Sequence, residues 1–277
     1  MRQIKTLMVA ALTLVMGIMM TSCLNSEGGE SAFDGAFLAK VVSAGGLYGG
    51  AIFEDAGGNR YEASYKSVTQ LETGGYSLTG VEVAYIYFKY SVDETGNKIT
   101  PPQPNATTPQ KYQIELVAIQ TAPTTDAERV ETATQLKDNE YETSPIGISQ
   151  MMGNDNNYVR FDFYDESMIY TYLQWFLTNG QEEFKKHNIR LAYAYDEITA
   201  GSTELRFYLC HSNGGDEGTG AMYQNWYCFK VSNALADFER ITGHQPSTVK
   251  ISLYEDVSSM GVMPSSRTDY TINYKKN

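Results

Sequence analysis

The chain has 277 residues, with 33 Asp+Glu against 21 Lys+Arg and a formal charge of −12 at pH 7. Phosphate backbones are held by concentrated Lys and Arg, so this balance argues against nucleic acid as a partner. With three histidines and three cysteines, spread without ligand spacing, no metal site is expected and no cofactor is implied.

Arg2 and Lys5 precede an apolar run from Leu7 to Met20. A bilayer span needs roughly 20 apolar residues, so this run is too short for a comfortable transmembrane anchor. A basic start, a short apolar core and then small residues form the pattern of a cleaved secretory signal. Thr21 and Ser22 stand directly before Cys23. That ending resembles the lipobox of bacterial lipoproteins, in which the signal is cut before a cysteine that then carries lipid; Met20 stands where that motif usually has Leu. The resemblance implies a signal peptide over residues 1–22 and lipid attachment at Cys23, with the acyl chains as the membrane anchor. Loss of Arg2 and Lys5 with the signal takes the charge from −12 to −14. Residues 23–32, rich in Gly, Ser and Glu, read as a flexible tether.

From Phe33 onward the apolar period is mostly two, the strand signal. "GAFLAKVV", "LYGGAIFED", "NRYEASY", "VEVAYIYFKY" and "KYQIELVAIQ" are five strand candidates, a number that fits a small barrel or sandwich over residues 33–124. The Thr-, Asp- and Pro-rich stretch 122–145 breaks the pattern, with Val130, Ala133 and Leu136 at helical spacing. Residues 125–277 then resume alternation in "NYVRFDFYDE", "IRLAYAYDE", "TELRFYLC", "NWYCFKV", "TVKISLYED" and "DYTINYKK". An antiparallel β-sandwich is the natural reading. Within it a helical insertion is expected near 166–188, with Met168, Tyr172, Trp175 and Phe176 along a helix capped at Asn179-Gly180. A second helix is expected over "NALADFERITGH", ending at Gly243. The class is therefore mainly β.

Several features invite a chemical reading. Cys210 and Cys228 flank a turn-rich loop; in a hairpin with i opposite 438 − i, Leu209 faces Phe229 and Phe207 faces Val231, so the apolar faces agree. An oxidising compartment permits a disulfide there, and two reduced buried thiols are nearly as good a reading. His211 follows Cys210, but adjacent strand residues point to opposite faces, which spoils a nucleophile–base pair. Gly214–Glu217 reads as a loop, and "GNDNN" at 153–157 as a polar turn rather than a calcium site. Carboxylate pairs such as Asp196–Glu197 and Asp216–Glu217 look like solvated turns. The 21 tyrosines and 2 tryptophans are more suggestive. Tyr164, Trp175, Tyr208, Trp226 and Tyr254 are the candidate binding aromatics.

Taken together, "TSC", "FDGAFLAKVV", "YVRFDFY", "RFYLCHSNGGDE", "YCFKV" and "TVKISLYED" give the chain a resemblance to NigD-like lipoproteins of the Bacteroidetes envelope. Cys210 stands where the family hairpin has Arg, and Glu166–Asn188 departs from its pattern. The resemblance implies an N-terminal OB-like barrel followed by a C-terminal β-sandwich, and offers no catalytic residues. The barrel region holds six Lys+Arg against nine Asp+Glu over residues 33–122, which again disfavours nucleic acid. The expected role is a non-enzymatic, lipid-anchored envelope protein, in the outer membrane, that binds a protein or glycan. The alternatives are an envelope glycan hydrolase, which needs two carboxylates about 5–9.5 Å apart, and a pilus or adhesin subunit.

Overall fold

The computed structural model describes residues 32–45, 49–103, 106–137, 141–153, 157–178, 181–257 and 260–274. The expected signal segment, Cys23 and nearly all of the expected tether lie outside the described residues, as do Asn179-Gly180 and the centre of "GNDNN". The described residues divide into two compact units, with the break between Ala122 and Pro123.

The first unit is a closed barrel of β1 (Gly35–Ser43), β2 (Ile52–Glu54), β3 (Arg60–Ala63), β4 (Val83–Tyr90) and β5 (Lys111–Ala122), in the order β1-β2-β3-β5-β4. This is the five-stranded, OB-like barrel that the family resemblance implied, and the barrel rather than the sandwich of the two forms the alternation allowed. β4 pairs antiparallel with both β1 and β5, so its backbone is satisfied on both edges. Ile86 and Phe88 of β4 point inward with Phe53, Tyr61 and Ile114. The sequence reading missed α1 (Tyr65–Thr73), which follows β3 directly. Ser64 caps it by accepting the Ser67 N–H at 3.2 Å, relieving one of the orphan donors of the first turn. Val68 and Leu71, one helical turn apart, settle on the barrel core.

The second unit is a sandwich of two mixed sheets. One carries β6 (Thr124–Asp126), β8 (Gly147–Ser149), β11 (Phe161–Asp165), β12 (Met168–Leu177) and β15 (Ala221–Lys230). The other carries β7 (Glu128–Val130), β13 (Asn188–Ala194), β14 (Glu204–Ser212), β16 (Thr248–Leu253) and β17 (Thr268–Asn273). A small separate pair, β9 (Met151–Met152) and β10 (Tyr158–Val159), lies between β8 and β11 in the chain. The two sheets share one core: Ile169, Leu173, Trp175 and Phe229 from the first meet Leu191, Phe207, Leu209 and Ile251 from the second. Sandwich and mainly-β class are as expected. β6 with β15 in the first sheet, and β7 with β13 and β14 with β16 in the second, run parallel, so neither sheet is purely antiparallel.

Three local expectations need correction. Residues 168–177 form a central strand, not a helix; β12 pairs with β11, β8 and β15. Met168, Tyr172 and Phe176 share one strand face, while Trp175 joins Ile169 and Leu173 on the other. A segment apolar on both faces satisfies either period, and its aromatic and β-branched residues favour the pleated surface. Only the four-residue α2 (Gln181–Phe184) follows it. Residues 128–137 form β7 and then a short 3-10 turn over Ala133–Lys137, with Leu136 fully buried. By contrast α3 (Ser232–Thr242) forms as expected, and Gly243 ends it in the left-handed conformation at φ 81°, which favours Gly.

The third correction concerns the cysteines. β14 and β15 do not pair with each other: Cys210 lies opposite Arg190 and Cys228 opposite Tyr170, in different sheets. Neither cysteine is in a disulfide and both are buried. Leu209 and Phe229 do face a common interior, which is why the apolar parity agreed. Their neighbours Cys210 and Cys228 consequently point away from each other, on the two outward sides of sheets that pack about 10 Å apart. That separation forbids a bond.

Candidate functional site

The five candidate aromatics fall into three places. Trp175 is in the sandwich core, 4.7 Å from Tyr223 and 5.7 Å from Tyr227 between ring centroids. It cannot meet a ligand. Tyr208 and Tyr254 are brought together by Arg267, whose guanidinium lies 4.8 Å and 4.9 Å from the two ring centroids. Tyr208 is itself buried, and its hydroxyl donates to both oxygens of Glu197 at 2.7 and 2.8 Å. Burial and that carboxylate push the Tyr208 phenol up to about 12. This is a structural tyrosine.

Tyr164 and Trp226 belong to a row on the outward face of the first sheet. Tyr164 meets Tyr170 at 6.3 Å, Tyr170 meets Trp226 at 6.2 Å, and Trp226 meets Tyr172 at 5.0 Å. The register explains the row. β12 and β15 set Tyr170 against Cys228, Tyr172 against Trp226, Gln174 against Gln224 and Phe176 against Met222, all on one face by strand alternation. Exposure rises along it: Tyr164 and Tyr170 are buried, Tyr172, Trp226 and both glutamines are half-buried, and Met222 is 48% exposed. A Cβ at Gly261 would lie 3.5 Å from Phe176, so the loop carrying exposed Met260, Val262 and Met263 abuts the same end. The result is a strip of aromatic, amide and methionine side chains. Such a surface offers stacking faces and paired amide groups to a ligand.

The carboxylate pairs have structural duties instead. A shallow depression of about 390 Å³ is lined by Asp196, Glu197, Glu204 and Arg206. Asp196 accepts the Ala133 N–H at 3.2 Å, Glu197 holds Tyr208, and Glu204 pairs with Lys250 at 3.0 Å. Each acid is already committed to a neighbour. Among the described residues no cluster of three or more His, Cys, Asp or Glu has metal-binding geometry.

One constellation had no sequence signal. His211, buried in β14, approaches His187 at 2.9 Å between Nε2 and Nδ1, and His187 Nε2 approaches Asp216 Oδ2 at 3.1 Å. His211 Nδ1 lies 3.0 Å from the Pro145 carbonyl. Asp216 also accepts the Thr178 N–H, the Thr178 hydroxyl and the Gly218 N–H at 2.8, 2.6 and 2.9 Å. These donors hold its pKa well below the usual carboxylate range against the opposing effect of desolvation, which is the largest single influence. Cys210 and His211 point to opposite faces, as alternation requires; the thiol lies beside Glu142 at 3.7 Å.

Comparison with solved structures follows this geometry. A candidate lipoprotein from Bacteroides fragilis is 18% identical and superposes with a TM-score of 0.64, over 87% of this chain and 98% of its own. The two-domain fold is shared. A candidate toxin-related protein from Parabacteroides distasonis is 14% identical with a TM-score of 0.52, over 87% and 92% of the two chains. A more distant likeness, to a NigD-like immunity protein from Bacteroides caccae, is 10% identical with a TM-score of 0.49, over 91% and 100%. No family profile and no curated protein matches the sequence. At 18% and 14% identity, the likeness to the first two is one of fold alone.

Proposed function

We propose that this chain is a lipid-anchored protein of the outer membrane, a non-enzymatic module that binds a protein or glycan partner. The observation that carries the binding role is the outward strip of Tyr172, Trp226, Gln174, Gln224, Phe176 and Met222, where half-buried aromatic rings, amides and an exposed methionine share one face of a pair of strands. Sites on paired strands hold their geometry better than sites on loops. The acidic side chains that line the depression are each bonded within the fold. Lipid anchoring is supported by the Thr21-Ser22-Cys23 ending of the signal segment. The fold neighbour from Bacteroides fragilis, a candidate lipoprotein, supports it too. Among the described residues no helix is long and apolar enough to cross a membrane.

The chain has two tryptophans, so Trp175→Phe leaves Trp226 as the only indole. Titration of that variant with soluble envelope glycan, and separately with envelope proteins, is expected to shift or quench its emission with one of the two. Trp226→Ala is expected to abolish co-sedimentation with the same fraction. Unchanged emission with both fractions would remove the strip from consideration, and release of reducing sugar from envelope glycan would favour the hydrolase. Metabolic labelling with a fatty acid tests the anchor; label retained after Cys23→Ala would refute it.

A further inference from the structure

We infer that His187, His211 and Asp216 form a proton-dependent clasp, in which a buried imidazolium at His187 fastens the loop after β14 to both sheets of the sandwich. The inference stands apart from the binding strip. It follows from counting protons along a linear chain of contacts: the Pro145 carbonyl, His211, His187 and Asp216, at 3.0, 2.9 and 3.1 Å. Each contact is a hydrogen bond only if one proton lies in it. A carbonyl at one end supplies none. At the other end Asp216 accepts from three further donors, which favour its charged form and keep its pKa below the usual carboxylate range, so it is ionised and supplies none either.

Two neutral imidazoles bring two protons to three contacts. One contact would then place lone pair against lone pair, in a site where the His187 and Asp216 side chains are 1% and 2% exposed. A buried polar group without a partner costs about 1–3 kcal/mol, and a buried unpaired charge more. A third proton repairs both faults. With His187 protonated, Nε2–H donates to Asp216 and Nδ1–H donates to His211 Nε2, leaving His211 Nδ1–H for Pro145. The array is then neutral as a whole, an imidazolium beside a carboxylate. His211 is the poorer place for the extra charge, because burial lowers its pKa to about 4 and the charge of His187 opposes it further.

The clasp ties separate elements together. Thr178 directly follows β12 of one sheet, His187 immediately precedes β13 and His211 lies in β14 of the other, and Asp216 sits in the loop. The charged neighbours are few. Lys186 is paired with Glu183 at 2.7 Å and adds favourable charge toward Asp216. Glu217 is exposed, and the Glu142–Arg267 pair lies behind β14 on the Cys210 side. Trp175 and Phe184 wall the histidines with apolar surface.

The test is a nitrogen-15 spectrum of the full chain labelled in its histidine rings, with exposed His244 as the internal reference. At pH 7 the buried pair is expected to show three ring N–H signals. Raising the pH is expected to remove one of them, and with it at least about tenfold of the exchange protection of the Thr178 and Gly218 amides. Asp216→Asn is expected to show two signals at pH 7; the titration of the unsubstituted protein decides alone if that variant does not fold. Two signals at pH 7 in the unsubstituted protein overturn the inference. So does loss of the third signal with both amides as protected as before.

Discussion

Arg267 and Glu142 form a two-pronged ion pair, with Nε 3.2 Å from Oε1 and Nη2 on Oε2. The rings of Tyr208 and Tyr254 cover the guanidinium, and the Cys210 thiol lies against the carboxylate. Desolvation raises the Glu142 pKa, and Arg267 is the main influence holding it down. Removing one partner of a buried pair strands the other. Arg267→Met is therefore expected to cost about 3 kcal/mol at pH 7, read as a lower urea midpoint. With its folded pKa raised further, Glu142 binds protons more readily in the native state than in the unfolded one, so the variant regains stability as the pH falls toward the carboxylate range. Arg267→Met with Glu142→Gln should lose less than Arg267→Met alone; an equal or greater loss would contradict the pairing.

A second pH effect belongs to His211. Its folded pKa, lowered to about 4 from the ordinary 6.5, means that the unfolded chain binds this proton first as the pH falls. Native stability is then present above 6.5 and is lost between about 6.5 and 4, by up to about 3 kcal/mol. Urea midpoints measured across that window should show the slope, and His211→Gln should flatten it. An unchanged slope would mean that other groups carry the acid sensitivity.

The two thiols of the sandwich should behave as reduced and shielded. Burial and the Glu142 charge push the Cys210 thiol well up, and the thiolate is the reactive form. A thiol reagent is expected to label neither Cys210 nor Cys228 quickly in the native protein and both after unfolding. The melting temperature should be the same with and without reductant. A drop in melting temperature on reduction would restore the disulfide.

Gly218 is a close-approach position. A Cβ there would fall 1.7 Å from the Thr178 hydroxyl oxygen, so Gly218→Ala must push Thr178 off Asp216. The expected loss is about 1–3 kcal/mol, the cost of leaving buried partners unsatisfied. Faster amide exchange should be confined to the loop and the end of β12. Gly215→Ala, with no atom within 4 Å of its Cβ position but φ at 87°, should cost only the strain of that backbone conformation, about 1 kcal/mol.

Much of the architecture was legible from the sequence because strand alternation is a local property. β1, β4, β5, β11 and β13–β17 sit where period-two runs placed them, and α3 ends at the glycine that marked it. The signal-like start and the cysteine after it are likewise read from contiguous residues. What only the tertiary structure decided are the matters of partnership. Residues 168–177 satisfy a helical and a strand period equally, and three strands bonding to them chose the strand. Leu209 and Phe229 face a common interior whether their strands pair or merely pack, so parity could not reveal that Cys210 and Cys228 lie on opposite outward faces. His187, His211 and Asp216 carry no motif in the chain, since their spacing reflects where two sheets and a loop happen to meet. Local sequence sets which way each side chain points on its own element; which side chain it then meets depends on long-range packing, and the clasp and the aromatic strip both belong to that second kind of information.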